Sequence, residues 1–453
     1  MTRRQRELLS SLSSSARSIP FIVLILLTIL AAGFRVHYFR ETAVKSLLRA
    51  DARQYAIYGY NLYTKGTFSK ETDTRQPKPD SYRAPGFPFL VAAGMKFFGL
   101  EGGFLRFILI LHIVLGVLLV PLIYWAARFV LGKFLSAGSA FLVAISPHLI
   151  TIGGNFLTET SFAFIHFAGL ALFLAALRKK NRVLLIIPGL FFGYAYLINP
   201  VILFLPFILV FAVMVGEKIP FREWGKTLAK NGLAGFLVVF CLFAVGWGLR
   251  NQVSLPENAL TSTDRVINNL VIGSHYDFFD NYRKDPRGLE YMAVQKEIGQ
   301  ARGTFRGFFR GFLPRLADEP IRYAAWYLIE KPLLFFGWGI QFGAGDIYVY
   351  PVADSPYQKP GLFRSSRAVM KLIHGPLVLL LLGGIPASLV LWLKGRMGPG
   401  SPEALLFLTM FYFTLIHVAL QAEPRLSVPF RPEFYILSLL TIRTLVTRIR
   451  KPA

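Results

Sequence analysis

Asp51-Ala52-Arg53-Gln54-Tyr55, followed by Tyr58, Leu62 and Gly66, sets Asp51, Gln54, Tyr55 and Tyr58 at helical spacing on one face. An acid at the start of a short helix beside a membrane can act as a general base. A solvated acid favoured by the dipole of a helix N-terminus has the same spacing, so both readings stand. Tyr82-Arg83-Ala84-Pro85-Gly86-Phe87-Pro88 comes next. Its prolines end one segment and open another, since proline is tolerated at a first helical position. A guanidinium there suits a phosphate, or it snorkels at the interface. Thr158-Glu159-Thr160 begins a further apolar run, with His166 two turns deeper on the same face. Threonine caps helices and glutamate favours a first turn; a histidine inside a span is costly unless it is satisfied or used. Arg250, in Gly246-Trp247-Gly248-Leu249-Arg250-Asn251, and Arg425, in Glu423-Pro424-Arg425-Leu426-Ser427-Val428-Pro429, stand at other span ends. Three arginines (83, 250, 425) and two acids (51, 159) thus collect on one side. That set suits an anionic headgroup, with acids for proton transfer.

The elements that must position these residues are membrane helices. Of 453 residues, 54% are hydrophobic and only 17% charged, against about a quarter charged in soluble domains. Several apolar runs approach the roughly 20 residues that cross a bilayer. The net charge of +25 does not point to nucleic acid, because the Arg and Lys cluster at the ends of apolar runs, as the positive-inside rule places them. Basic clusters at the N-terminus, 128–133, 178–182, 218–230, 394–396 and 443–451 mark one side as cytoplasmic. The runs between them pair as 19–38 with 105–128, 134–152 with 158–177, 183–198 with 200–215, 231–249 with 370–393, and 403–421 with 432–447. The expectation is an all-α polytopic bundle of about ten spans, or up to about thirteen if shorter runs also cross. Both termini are then cytoplasmic in a cell (inner or plasma) membrane, and the first apolar run, which ends in Gly33-Phe34-Arg35, is an uncleaved span rather than a signal peptide. Residues 85–98 and 323–342 read as juxtamembrane helices within two outer loops, 39–104 and 250–369. In the second loop, Arg302, Arg306, Arg310 and Arg315 suit anionic lipid, an acidic acceptor or a solvated helix face.

Seven scattered histidines show no paired metal spacing, and the single Cys241 sits in an apolar run. No disulfide framework or cysteine metal site follows.

The Asp-led helix, then Arg83-Ala84-Pro85-Gly86-Phe87-Pro88, then an acid at the outer start of a following span resembles the GT-C glycosyltransferases. Within them the likeness is to the bacterial protein-mannosyltransferase-like branch that includes the lipid A aminoarabinose transferase. Trp247–Asn251 and Glu423-Pro424-Arg425 are similar to late motifs of that branch, and the likeness runs in order along the whole chain. The resemblance implies one transmembrane GT-C-like domain over 1–453, a polyprenyl-phosphate-linked sugar donor, and transfer on the outer face to a glycan, lipid or protein acceptor. It implies that Asp51 is the base, with Glu159 as an approximate match to the second acid. Arg83 would contact the donor phosphate, and Arg250 and Arg425 would line the site beside Tyr55, Tyr58, Tyr82 and His166. Many relatives carry Asp-Glu where this chain has Asp51-Ala52, so a two-acid metal site is in question and a divalent metal stays open. A lipid or solute transporter, or a surface-polysaccharide polymerase or ligase, are the competing readings. A transporter is disfavoured because no clear internal repeat is seen and the charges of interest sit at one face.

Overall fold

The computed structural model describes residues 3–72, 74–179, 183–301 and 303–449. Arg302, and the basic residues Lys180, Arg182, Arg450 and Lys451 used to orient the spans, lie outside them. Twenty-one α-helices follow in order. The first eleven are α1 (Arg3–Glu41), α2 (Ala50–Lys65), α3 (Gly86–Phe98), α4 (Gly103–Ala127), α5 (Lys133–Ile145), α6 (Pro147–Gly153), α7 (Glu159–Lys179), α8 (Ile186–Ile198), α9 (Leu205–Gly216), α10 (Trp224–Asn231) and α11 (Leu233–Ser254). A loop domain holds α12 (Ser262–Ser274), α13 (Phe278–Lys284), α14 (Leu289–Ala301), α15 (Phe305–Asp318), α16 (Pro320–Ala325) and α17 (Lys331–Phe335). The chain then re-enters the bundle with α18 (Leu362–Leu393), α19 (Pro402–Ala419), α20 (Pro424–Ser427) and α21 (Arg431–Ile449). A two-stranded antiparallel pair, β1 (Ala43–Val44) with β2 (Val352–Asp354), ties the first long loop to the second.

All ten expected spans are helical. Among the described residues, six helices are long and apolar enough to cross a membrane, and up to eight if each bent pair counts as one span. The chain is a multi-pass membrane protein. The pair α5–α6 bends by 46°, whereas Pro200–Gly216 and Phe221–Asn231 turn by 117°, so α10 folds back instead of prolonging the crossing. Helix α8 has 13 residues, about 20 Å at 1.5 Å per residue, short of the ~30 Å hydrocarbon core. Helix α18 starts eight residues before its expected onset at 370, so the second loop closes at 361. The stretch 323–342 is helical only to Phe335 and passes through a π-turn at Trp326–Glu330. Pro332 has no N–H to return to the Leu328 carbonyl, which removes an ordinary α-helical bond there.

The bend at α5–α6 has a visible cause. Pro147 cannot donate to the carbonyl of Val143, so the last carbonyls of α5 need another donor. Arg35, 4% exposed within α1, supplies it: NH2 donates to Val143 O at 3.2 Å and NH1 to Ala144 O at 3.3 Å. Gly116 of α4 makes room, since a Cβ there would stand 2.5 Å from Arg35 Nε.

Helices α2 and α3 pack together at the mouth of the bundle. Gly86 lets α3 begin against α8, because a Cβ would meet the Leu197 carbonyl carbon at 2.8 Å. That close approach fixes Arg83, three residues earlier. The loop domain has its own small core around Ile267, Val271, Phe278, Phe308 and Phe312. It docks on the bundle through Thr151 Oγ1, which donates to Ile347 O at 2.8 Å, and through a 2.7 Å bond between His148 Nε2 and Trp338 O.

Candidate active site

Asp51 lies in the first turn of α2, whose terminus leaves the carboxylate facing the bundle. Arg83 NH2 donates to Asp51 Oδ1 at 2.6 Å, and Arg425 NH2 donates to Oδ2 at 3.0 Å. Arg425 Nε donates to Glu159 Oε1 at 2.6 Å. One guanidinium therefore bridges the two acids, and a second closes the far side of Asp51. Arg83 is held in turn by Gln54 Oε1 at 2.8 Å and lies over the rings of Tyr55 and Tyr82 at 5.1 and 5.7 Å. Its side chain is 6% exposed, that of Arg425 is 13% and that of Glu159 is 7%, while Asp51 keeps 30%. The acid that leads α2 is thus the member of the cluster open to a ligand.

Burial alone would raise the Asp51 carboxyl, but Arg83, Arg425 and Arg265 outweigh it and hold it well below the usual carboxylate range. Arg83 and Arg425 are pushed up against the burial that opposes their charge, Arg425 by Glu159 and then Asp51. Glu423, beside Arg425 and 3% exposed, behaves oppositely. Its Oε1 accepts from the Phe342 N–H at 2.7 Å, yet burial, with Asp51 and Glu159 adding to it, pushes its carboxyl up to about 7.

Arg265, on α12, faces Asp51, Arg83, Tyr55 and Tyr82. Burial, reinforced by Arg83, presses it below its ordinary value. Among the described residues its guanidinium has no hydrogen-bond or ion-pair partner. The sequence reading missed it: Arg265 sits in a charge-rich loop with no motif around it. The one local signal was the Thr261–Asp264 capping box that starts α12 and sets the helix's register.

Of the other expected residues, Tyr82 stays beside Arg83, whereas Tyr58, Arg250 and His166 are engaged elsewhere. Tyr58 is buried, donates to Asp80 and stacks on Phe68. It braces the first loop, in which Asp80 also receives the N–H groups of Lys70 and Tyr82. Arg250 is engaged with the same loop, donating to Asp80 O at 2.9 Å and lying 4.9 Å over Trp247. His166 is fully buried, with Nε2 2.8 Å from Glu433 Oε1 and Nδ1 2.8 Å from Phe162 O. Tyr82 stays half-buried, with Asn268 Nδ2 donating to its hydroxyl at 3.4 Å. In the second loop Arg315 turns inward to Glu297, at 2.6 Å, while Arg306 and Arg310 face outward. The described residues include no group of three His, Cys, Asp or Glu arranged to hold a metal ion.

Residues 82–247 match the family model described as dolichyl-phosphate-mannose-protein mannosyltransferase. That stretch begins beside Arg83, contains Glu159 and ends just before Arg250. The backbone superposes on the Archaeoglobus fulgidus oligosaccharyltransferase tethered to an acceptor peptide, with a TM-score of 0.50 and 15% identity over 96% of this chain. The chain has the GT-C fold. It spans about half the length of that GT-C protein, 50% of which is covered. The same archaeal enzyme with an inhibitory peptide and a dolichol-phosphate aligns at a TM-score of 0.48 and 15% identity, covering 96% of this chain and 51% of that one. Another GT-C protein, ArnT from Cupriavidus metallidurans bound to undecaprenyl phosphate, aligns at 0.36 and 15% identity, covering 96% and 79%. No curated sequence matches the chain.

Proposed function

We propose that this protein is a glycosyltransferase that moves a sugar from a polyprenyl-phosphate donor to an acceptor hydroxyl on the outer face of the membrane. The observation that carries the reading is the pairing of a guanidinium-held carboxylate with a guanidinium that faces the same carboxylate but, among the described residues, has no hydrogen-bond or ion-pair partner. Arg83 and Arg425 are occupied by Asp51 and Glu159; Arg265 is the neighbouring cation left for a phosphate. The matched family's description names a dolichyl-phosphate sugar, a donor of this chemistry.

In the reaction the acceptor oxygen attacks the anomeric carbon, the bond from that carbon to the phosphate oxygen breaks, and the polyprenyl phosphate leaves with the electron pair. Asp51 takes the acceptor proton. With both its oxygens held by guanidiniums, Asp51 is a weak base. A phosphate drawn to Arg265 and Arg83 competes for the donors that hold Asp51, and so raises its proton affinity as the donor arrives. Arg265 and Arg83 then neutralise the charge that develops on the leaving phosphate. Glu159 keeps Arg425 in place. Attack from the side opposite the phosphate inverts the anomeric configuration.

The test is turnover of a panel of radiolabelled polyprenyl-phosphate sugars by the protein in lipid, wild type against Asp51→Asn. Sugar release or transfer that disappears in the variant, with insertion into the membrane unchanged, supports the assignment. Full activity in Asp51→Asn would sink it.

A further inference from the structure

Helix α15 has two apolar faces, and the protein covers only one. Phe308 and Phe312 turn into the loop-domain core against Ile267 and Val271 of α12. Arg315 follows them inward, donating to Glu297 Oε2 at 2.6 Å, Ser274 Oγ at 2.8 Å and Tyr323 OH at 3.1 Å. One step round the helix, Phe305, Phe309 and Leu313 recur every four residues and are 51, 46 and 53% exposed. Beside that stripe stand Arg306 and Arg310, both exposed and both without an ion pair among the described residues. Helix α15 starts at Phe305 behind the Thr304 cap, so the arginine row belongs to 306 and 310; Arg302 precedes the helix and lies outside the described residues.

Further along the chain, Ile321, Leu328, Ile329 and Leu333 are also exposed, at 85, 76, 59 and 46%. This segment ends in α17, which packs on the membrane helix α19. So many large apolar side chains left bare in one segment suit an interaction surface better than open water. A helix with an apolar stripe flanked by arginines, joined to a membrane bundle, has the pattern of a helix lying in the headgroup layer. The two guanidiniums complement phospholipid phosphates, which hold them bidentately. A second copy of the chain meets this face less well, because the stripe would bring the same unpaired arginines towards one another.

We propose that α15 is an interfacial helix, sinking Phe305, Phe309 and Leu313 into the leaflet on the Asp51 side and seating Arg306 and Arg310 on anionic phospholipid phosphates. Because α15 shares its core with α12, lipid docking also fixes the helix that bears Arg265. Only this last consequence rests on the proposed role of Arg265.

The test uses the full-length protein in vesicles of phosphatidylcholine, with and without phosphatidylglycerol. In a Cys241→Ser background, nitroxides are placed singly at Phe309→Cys and Leu313→Cys. Leu242→Cys serves as a bilayer reference on α11 and Lys284→Cys as an aqueous one. Relaxation by oxygen is compared with relaxation by a water-soluble nickel chelate. Labels at 309 and 313 are expected to respond more to oxygen, like 242, and the reverse contrast is expected at 284. Adding Arg306→Glu and Arg310→Glu should shift 309 towards the aqueous response in the anionic vesicles. Labels at 309 and 313 that match 284 would overturn the docking. Spin–spin broadening that vanishes on dilution with unlabelled protein would assign the face to a second copy and also overturn it. An unchanged response after both charge reversals would remove the arginines from the proposal. None of these readings depends on turnover, so docking and glycosyl transfer fail separately.

Discussion

Arg83 and Arg425 hold opposite oxygens of one carboxylate, at 2.6 and 3.0 Å, although 342 positions separate them in the chain. Arg425 also closes on Glu159, so its planar fork serves two acids that come from the first turns of different helices, α2 and α7. Removing that fork leaves a carboxylate that is 7% exposed without its counter-ion. Breaking a buried pair in this way costs about 3–5 kcal/mol. Arg425→Met is expected to lower the thermal midpoint of the detergent-solubilised protein sharply. Adding Glu159→Gln should restore a large part of the loss, since the uncompensated charge is then gone. A double variant no more stable than Arg425→Met would show that the bridge does not set stability.

Arg265 gives a kinetic prediction. A charge-assisted bond to a phosphate contributes about 1.5–3 kcal/mol, which is roughly a 10- to 100-fold effect. Arg265→Ala is expected to lower kcat/KM for the polyprenyl-phosphate donor by that factor. It should leave the thermal midpoint close to wild type, because among the described residues the guanidinium has no hydrogen-bond or ion-pair partner to lose. Arg265→Lys should recover a part of the activity, since a point charge replaces a bidentate donor. Unaltered donor kinetics in Arg265→Ala would remove the residue from the phosphate site.

Arg35 allows the broken span to be tested apart from the chemistry. Its donors satisfy the Val143 carbonyl that Pro147 leaves open and the Ala144 carbonyl at the broken end of α5. Arg35→Leu removes a charge from a membrane helix, which hydropathy alone would favour. It also strands two carbonyls in apolar surroundings, each costing about 1–3 kcal/mol. The second effect is the larger, and the variant is expected to unfold at lower temperature. Equal or greater stability would mean that water or a backbone shift satisfies these groups.

Local sequence patterns locate part of this site and miss another part for a definable reason. Asp51, Arg83, Glu159 and Arg425 each stand at the start of a helix or within two residues of a proline, where short motifs carry structural information, and the fold brings them together. Tyr58, Arg250 and His166 have the same chemical character, but burial turns them to Asp80, to loop carbonyls and to Glu433. Which way these side chains turn depends on partners 22, 170 and 267 positions away, and spacing along one helix does not hold that information. Arg265 was invisible because its value lies in having no partner, a property of the assembled site. The ten helical segments were legible from apolar runs. Their bends and lengths were not, because they depend on Pro147, on Arg35 from another helix, and on the 117° turn between Pro200–Gly216 and Phe221–Asn231.

Glu423 provides a pH test with a fixed sign. Burial raises its carboxyl from 4.5 to about 7 in the folded protein. Between those two values the folded state binds more protons than the unfolded one, so stability falls as pH rises from about 4.5 to about 7 and levels off above. Asp51 contributes in the opposite direction. Its carboxyl is lowered when folded, so its stabilisation is present above the unfolded value of 3.8 and is lost only as pH falls below it. The two windows do not overlap. Glu423→Gln imitates the protonated carboxyl and can still accept the Phe342 N–H through its amide oxygen. The variant is expected to flatten the stability profile between about 4.5 and about 7, and to match or exceed wild type above about 7. Thermal midpoints measured across this range decide the matter: a profile in Glu423→Gln that still falls as steeply as wild type would place the titrating group elsewhere.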